Sequence, residues 1–277
     1  MPDIARQKSK AEALRKMHRG RLLLLPNVWD VASARIIEES GFGAIATTSA
    51  GIAFTRGYPD GQRISRQEML AAVGRITAAV QVPVTADVEA GYGNRPEDAA
   101  LTAWTVTEAG AVGMNLEDTT DRPEDPLLDL SLQIEKIKAV LEETQRTDVP
   151  IVLNARTDVY LLQVGPPERR YELALKRLAA FRDAGADCLF VPGVRESETI
   201  RRFVADLRHP INILAGPGSP SIPEVEKLGV ARVSLGSGPM RATLGLLGRL
   251  ADELKTSGTY RAMEGAPSHA DVNRMME

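Results

Sequence analysis

Cysteine and histidine are almost missing from this chain of 277 residues: there is one thiol, Cys188, and three imidazoles, His18, His209 and His269. One thiol closes no internal disulfide, and three scattered histidines offer no Cys/His zinc cluster, so a cytoplasmic protein is expected. Charge of one sign is missing too. Lys+Arg number 34 against Asp+Glu 37, for a net charge of -3, and no like-charge block is long enough to follow a phosphate backbone, which excludes a nucleic-acid partner. Long apolar runs are absent near the start, where residues 22–25 form the longest; that is far short of a signal segment or a membrane span, and no membrane partner is expected. With 43% hydrophobic and 26% charged residues, the chain has material for one large domain or two ordinary ones. Any chemistry must run on carboxylates and arginines, with or without a metal.

What is present is a repeat. Four helical stretches end in a glycine followed by an apolar run, at Gly41, Gly110, Gly185 and Gly229. Glycine there takes the left-handed conformation that stops a helix. Between them, prolines lead into apolar runs at Pro83, Pro150 and Pro210, as proline does at a strand's first residue. The seven starts are 19 to 42 residues apart, room for one strand and one helix each. Residues 22–25 supply an eighth strand. The spacing predicts strands near 22–25, 44–49, 83–88, 112–117, 150–156, 187–191, 211–215 and 231–235. Helices are predicted near 30–40, 65–80, 96–109, 131–146, 167–184, 196–208, 222–228 and 239–257. Most strands read as continuous apolar runs, as in a parallel sheet buried on both faces. No glycine fingerprint follows the first strand, which argues against a doubly wound open sheet. The expectation is an α/β fold, a single (β/α)8 TIM barrel over residues 1–277, with a helix within 1–20 closing the barrel bottom and a tail over 258–277.

Barrel chemistry gathers at the C-terminal strand ends. Here those ends carry Thr48, Ser49, Ala50 and Gly51; Asp87, Glu89 and Tyr92; Glu117 and Asp118; and Arg156. Crowded carboxylates repel one another unless they are protonated or share a cation. Oxygen ligands without His or Cys favour Mg²⁺, with Mn²⁺ as the alternative, and Mg²⁺ keeps several waters. Asp87 is the candidate direct ligand, with Glu89 and Glu117 behind it. The competing reading is that these acids cap helices or pair with Arg95, Arg122 and Arg156.

At these residues the chain resembles the isocitrate lyase/phosphoenolpyruvate mutase superfamily, from Leu25-Pro26 to the last strand. Thr48-Ser49-Ala50-Gly51 looks like the family's substrate-binding turn. The run from Pro83 to Gly93 is similar to its acidic Asp-x-Asp-x-Gly-Tyr-Gly segment, with Glu89 for the second Asp and one extra residue. Asn115-Leu116-Glu117-Asp118 matches its Glu-Asp pair, and Asn154-Ala155-Arg156-Thr157-Asp158 its Ala-Arg-Thr segment, whose arginine contacts the substrate carboxylate. Asp60 falls where the family has a further acid near the metal, and Asn212 near its polar residue on strand seven. The resemblance implies a barrel whose last helix is exchanged between subunits, giving a dimer or homotetramer, and Mg²⁺-dependent chemistry on a small 2-oxo or 2-hydroxy acid. The ion would chelate the substrate's carboxylate and 2-oxo oxygen and stabilise the enolate that forms as the neighbouring bond breaks. The amides of Ala50 and Gly51 are then candidate ligands of the same oxygens, and Arg156 a bidentate clamp.

Departures from the pattern narrow the reaction. Isocitrate and methylisocitrate lyases carry a loop thiol after the strand-four Glu-Asp, and the carbon-phosphorus enzymes carry lysine and asparagine there. Residues 119–128 contain none of Cys, Lys or His. Cys188 lies in an apolar run and reads as core. Gly193 stands where methylisocitrate-type members have glutamate, so a roomier or less acidic wall is expected. What remains is a carbon-carbon lyase or decarboxylase with its acid/base among Asp60, Tyr58, Tyr92 and water, and Arg122 as the loop's one charged contact. A carbon-phosphorus enzyme acting on a phosphonate such as phosphonopyruvate, or a non-catalytic 2-oxo acid binder, are the alternatives. The Gly-rich turns after strands seven and eight, 215–219 and 235–238, read as turn chemistry or as a phosphate site. In the last helix Leu244, Leu246, Leu247, Leu250 and Leu254 exceed what one barrel wall needs.

Overall fold

All four helix-stopping glycines take left-handed backbone angles, with φ of 86° at Gly41, 80° at Gly110, 107° at Gly185 and 84° at Gly229. In the computed structural model, which describes residues 3–120 and 122–277, the helices they terminate are α2 (Val31–Glu39), α5 (Pro96–Glu108), α7 (Pro167–Asp183) and α9 (Ile222–Lys227). The prolines stand just ahead of β4 (Val84–Asp87), β6 (Val152–Arg156) and β8 (Ile211–Leu214). Their missing N–H is not needed there, and the carbonyls of Pro83 and Pro210 accept from Ile45 and Leu189.

The first predicted strand, near 22–25, is β1 (Leu23–Leu25), and past Pro26 the chain adds an unpredicted short strand, β2 (Asn27–Val28). β1 pairs with β9 (Arg232–Ser234), and β2 pairs with β3 (Ile45–Thr47). The order β1-β9-β8-β7-β6-β5-β4-β3-β2, with β5 (Gly113–Glu117) and β7 (Cys188–Phe190), therefore closes into an all-parallel barrel of eight positions. Helices α4 (Arg66–Ala79), α6 (Leu130–Arg146) and α8 (Ser197–Leu207) complete the wall with those named above. The strands are buried apart from half-buried Leu24, Arg156 and Leu214, and one apolar cluster spans strands and helices.

Helix α1 (Ile4–Met17) lies under the N-terminal strand ends. Gln7 donates to the carbonyls of Thr107 and Ala111 at 2.8 and 3.0 Å, and Arg15 to those of Pro150 and Ile151 at 2.9 and 3.0 Å. Leu14 is fully buried, which is worth about 1.5–3 kcal/mol.

Two helices depart from the sequence reading. Residue 49 was placed at a strand end, but Ser49 opens α3 (Ser49–Thr55), because Thr48 leaves the strand and accepts the Gly51 amide as N-cap at 3.3 Å. The tail beyond residue 258 contains a short 3-10 turn (Arg261–Met263) and α11 (His269–Met276), which packs on α2. Helix α10 (Gly238–Thr256) buries only Met240 and leaves Leu244, Leu246, Leu247 and Leu254 exposed. Among the described residues no helix is long and apolar enough to cross a membrane.

Candidate active site

The strand ends bring Asp87, Glu117 and Arg156 to one rim, on three neighbouring strands. Asp87 is held on both oxygens. Its Oδ2 accepts from the Ser49 amide at 3.0 Å and hydroxyl at 2.8 Å, and its Oδ1 accepts from Asn115 at 3.2 Å. Asn115 is oriented in turn by Asn154, which donates to it at 2.7 Å. The fixed carboxylate is thus aimed before any ligand arrives.

Past β4 the backbone turns sharply. Glu89 and Tyr92 both take left-handed angles, with φ of 53° and 57°, a conformation that costs a side chain free energy and clusters at functional sites. Gln62, from the facing loop, donates its amide to Glu89 Oε2 and accepts the Tyr92 amide at 2.6 Å. Glu89 Oε1 is buried without a partner. Burial, then the charges of Asp60 and Asp87, push the Glu89 carboxyl up to about 7. Burial also raises Asp60, with Asp87 second, at an accessible place on the rim.

Glu117 bonds Arg156 Nη1 at 2.7 Å and accepts from the Thr119 hydroxyl at 2.6 Å. Arg156 also reaches Asp158 at 2.5 Å and 2.7 Å. Burial lifts both carboxyls above their usual range while Arg156 works against it. For Arg156 burial opposes the charge, but Asp158 and Glu117 outweigh it and hold the guanidinium firmly protonated.

Two adjoining cavities of about 230 and 250 Å³ open on this rim and share Ser49, Asp60, Arg156 and Leu161. The first also has Thr48, Ala50 and Asp87 in its wall, with an apolar side of Phe190, Pro192 and Leu214. The second has Glu89, Glu117, Thr119 and Thr120. Among the described residues no three His, Cys, Asp or Glu side chains are grouped to ligate one ion directly. An all-oxygen donor set with a buried, unpartnered Glu89 oxygen beside Asp87 nevertheless fits Mg²⁺, which takes one or two carboxylates and fills its octahedron with water.

Several expectations are corrected. Asn212 is fully buried, lies outside both cavity walls and bonds Ser234 at 3.3 Å; it is Ser234 that reaches the cavity. Asp118 is likewise sequestered, paired with Arg177 at 2.6 Å and accepting the Asp158 amide at 3.0 Å. Tyr92 belongs to a separate groove with Tyr58 and Gln62, its hydroxyl buried beside Glu89 without a hydrogen bond and its pKa raised, chiefly by burial. Gly51 packs rather than binds: its amide is taken by Thr48, and a Cβ there would lie 3.0 Å from Trp29 Cβ. Gly193, at φ 94°, meets the backbone of Tyr160 and Leu161, within 2.9 Å of where a Cβ would stand. The space of the missing glutamate is filled by backbone, so that wall is less acidic but not roomier. The two sides of the loop after β5 pair with each other, Thr119 bridged to Leu127 and the Thr120 amide donating to the Pro126 carbonyl at 2.9 Å. Arg122 turns outward to Asp125 at 2.7 Å; its neighbour Asp121 lies outside the described residues. Cys188 is fully buried, and burial pushes its thiol up to about 12.

The sequence reading missed Arg241, in the first turn of α10. It lies in the wall of the first cavity and, among the described residues, makes no ion pair. It also missed Asn27, which accepts the amides of Leu235 and Gly236 at 2.7 and 2.9 Å and fixes the turn before α10. A polar residue inside an apolar strand is costly unless bonded, and that was the available signal.

The profile of the phosphoenolpyruvate phosphomutase family matches residues 14–255. A solved structure of a lyase/mutase candidate from Burkholderia cenocepacia J2315 is 37% identical, with a TM-score of 0.92 over 98% of this chain and 96% of that one. Oxaloacetate decarboxylase 2 of Pseudomonas fluorescens (strain Pf0-1) is 31% identical over 218 residues, 76% of this chain and 70% of that protein. A structure of oxaloacetate acetylhydrolase in complex with its product oxalate is 26% identical, with a TM-score of 0.84 over 97% and 94% of the two chains.

Proposed function

Since the chain belongs to the phosphoenolpyruvate phosphomutase family, and so to the isocitrate lyase/phosphoenolpyruvate mutase superfamily, we propose that it is a Mg²⁺-dependent lyase or decarboxylase that breaks a carbon-carbon bond of a small 2-oxo or 2-hydroxy acid and leaves an enolate. The superfamily's members are lyases and mutases acting on carbon-carbon or carbon-phosphorus bonds. The observation that carries the reading is the gathering of Asp87, Glu89 and Glu117 on the walls of two adjoining cavities that share Arg156, where one oxygen of Glu89 is buried without a partner.

Asp87 would hold the ion directly, its carboxylate already aimed by Ser49 and Asn115. Glu89 would hold it directly or through water, and Glu117, both of whose oxygens are engaged, through water alone. Bound Mg²⁺ supplies a Lewis acid for the carboxylate and 2-oxo oxygens of the substrate. The remaining steps belong to the chain's own residues. The Ala50 amide, in the first turn of α3, has no acceptor within the helix, and because Ala50 lines the cavity it would serve as an anion ligand. Arg156 commits three of its five N–H groups to Glu117 and Asp158; the other two are free for a substrate carboxylate. Asp60, raised in pKa and accessible on the rim, is placed to take or return the proton. Phe190, Pro192, Leu161 and Leu214 keep water from the carbon skeleton.

The sequence of residues 119–128 brings no thiol, lysine or histidine, which favours carbon-carbon cleavage without a loop acid over isocitrate cleavage or carbon-phosphorus chemistry. The exposed leucines of α10 support exchange of that helix with a second copy, giving a dimer or tetramer; native mass spectrometry would check the assembly. The activity test is a panel of 2-oxo and 2-hydroxy di- and tricarboxylates, with phosphonopyruvate added, incubated with purified protein and Mg²⁺. Cleavage of a carbon acid that stops on chelation supports the reading. Phosphate release from the phosphonate, or ligand binding without turnover, overturns it.

A further inference from the structure

Lysine seldom sits fully buried without a carboxylate, because taking an ammonium out of water costs several kcal/mol unless strong partners replace the solvent. Lys136, in the middle of α6, is fully buried, and among the described residues it forms no ion pair. Its Nζ donates instead to two backbone carbonyls, Ala90 at 2.6 Å and Gly93 at 2.8 Å. The two carbonyls flank Gly91 and left-handed Tyr92 in the turn after β4, and Ala90 directly follows left-handed Glu89. One turn earlier on the same helix, fully buried Gln133 donates to the Glu117 carbonyl at 3.3 Å. The two acidic strand ends are also tied to each other, the Glu117 amide donating to the Glu89 carbonyl at 3.0 Å. One face of α6 thus grips both acid-bearing segments from behind, and neither Gln133 nor Lys136 touches either cavity.

We propose that Lys136 is the positioning residue of the acid cluster: by holding the Ala90 and Gly93 carbonyls it fixes the left-handed turn that presents Glu89, and so sets the affinity of the site for a divalent cation. A lysine does this better than a neutral donor. Its three rotating N–H groups reach two carbonyls that do not lie in one plane, and charge-assisted bonds are about twice as strong as neutral ones. The inference rests on the proposal that Asp87 and Glu89 hold Mg²⁺.

The test is calorimetric titration of Mg²⁺, without substrate, into the wild type, K136M, K136Q and V140A. Val140 is fully buried on the same helix, one turn on, and its side chain has no hydrogen-bond donor to give the turn, so V140A perturbs packing alone. Supporting partners of metal ligands typically contribute about 10- to 100-fold in metal affinity, and K136M should weaken Mg²⁺ binding by that factor. K136Q, which keeps a donor for one carbonyl, should fall between, and V140A should bind Mg²⁺ like the wild type while melting at a lower temperature. Wild-type affinity in folded K136M or K136Q overturns the inference alone. Equal weakening in V140A, or failure of both Lys136 variants to fold, assigns the residue to general stability and overturns it as well. A wild type that binds no Mg²⁺ takes down the metal reading with it.

Discussion

The two ends of the barrel treat charge in opposite ways. At the N-terminal end Arg15 pairs with Asp187 at 2.9 Å and also covers two carbonyls, and Lys8 pairs with Asp148 at 2.9 Å. At the C-terminal end Asp60, Asp87, Glu89 and Glu117 crowd around Arg156, and burial lifts the carboxyl pKa of Asp60, Glu89 and Glu117. The first arrangement closes a fold; the second is costly to keep, and the proposed cation or substrate would offset that cost. One barrel therefore separates stability from chemistry along its axis, and substitutions at the two ends should fail in different currencies.

The largest expected effect is at the upper end. D87N keeps the shape of the carboxylate but removes the charge proposed to hold the ion. It should lower kcat/KM by roughly 1,000-fold, about 4 kcal/mol of transition-state stabilisation, with a melting temperature near wild type, as steady-state kinetics and calorimetry would show. A D87N protein that retains activity would erase the distinction between the ends.

A pH experiment comes next. A glutamate raised from 4.5 to about 7 in the fold binds its proton more tightly folded than unfolded. Its contribution is therefore complete below about pH 4.5 and is lost as pH rises through 7, at most roughly 3 kcal/mol for metal-free protein. Mg²⁺ would select the ionised form, flatten this dependence, and itself bind more weakly below pH 7. Denaturant melts from pH 4 to 8, with and without Mg²⁺, would reveal both trends.

The lower end should show the reverse of D87N. R15M removes bonds between a charged group and two carbonyls as well as the Asp187 pair, and should cost about 2 kcal/mol of stability while leaving kcat and KM unchanged. The smallest effect is expected at Cys188. C188A should cost about 1 kcal/mol through a small cavity and leave turnover intact, whereas lost activity would restore a catalytic thiol.

How much of this was legible in the sequence depended on whether a feature was local. Gly41, Gly110, Gly185 and Gly229 mark helix ends through their own backbone preference, and Pro83, Pro150 and Pro210 mark strand starts, so the barrel could be counted in advance. Asp87, Glu89, Glu117 and Arg156 were legible because strand ends in such a barrel share one rim. Helix α3 was not: Ser-Ala-Gly-Ile-Ala-Phe-Thr contains a glycine and is short, and it is helical because Thr48 caps it and five of its residues are buried. Asn212 and Gly193 could not be placed by position alone. Whether a strand residue faces the cavity depends on barrel stagger, and the space beside Gly193 is taken by the distant residues Tyr160 and Leu161. Lys136 was equally invisible, since a lysine on an amphipathic helix ordinarily faces water.

The central claim is that the crowded upper rim works by Mg²⁺-assisted carbon-carbon cleavage. Proton NMR of the 2-oxo and 2-hydroxy acid panel with wild type, with and without a chelator, and with D87N, tests it most directly. At least one acid should be split into two carbon fragments by the Mg²⁺-loaded wild type and by neither of the other two. Intact panel members in the presence of protein that demonstrably binds Mg²⁺ would contradict it.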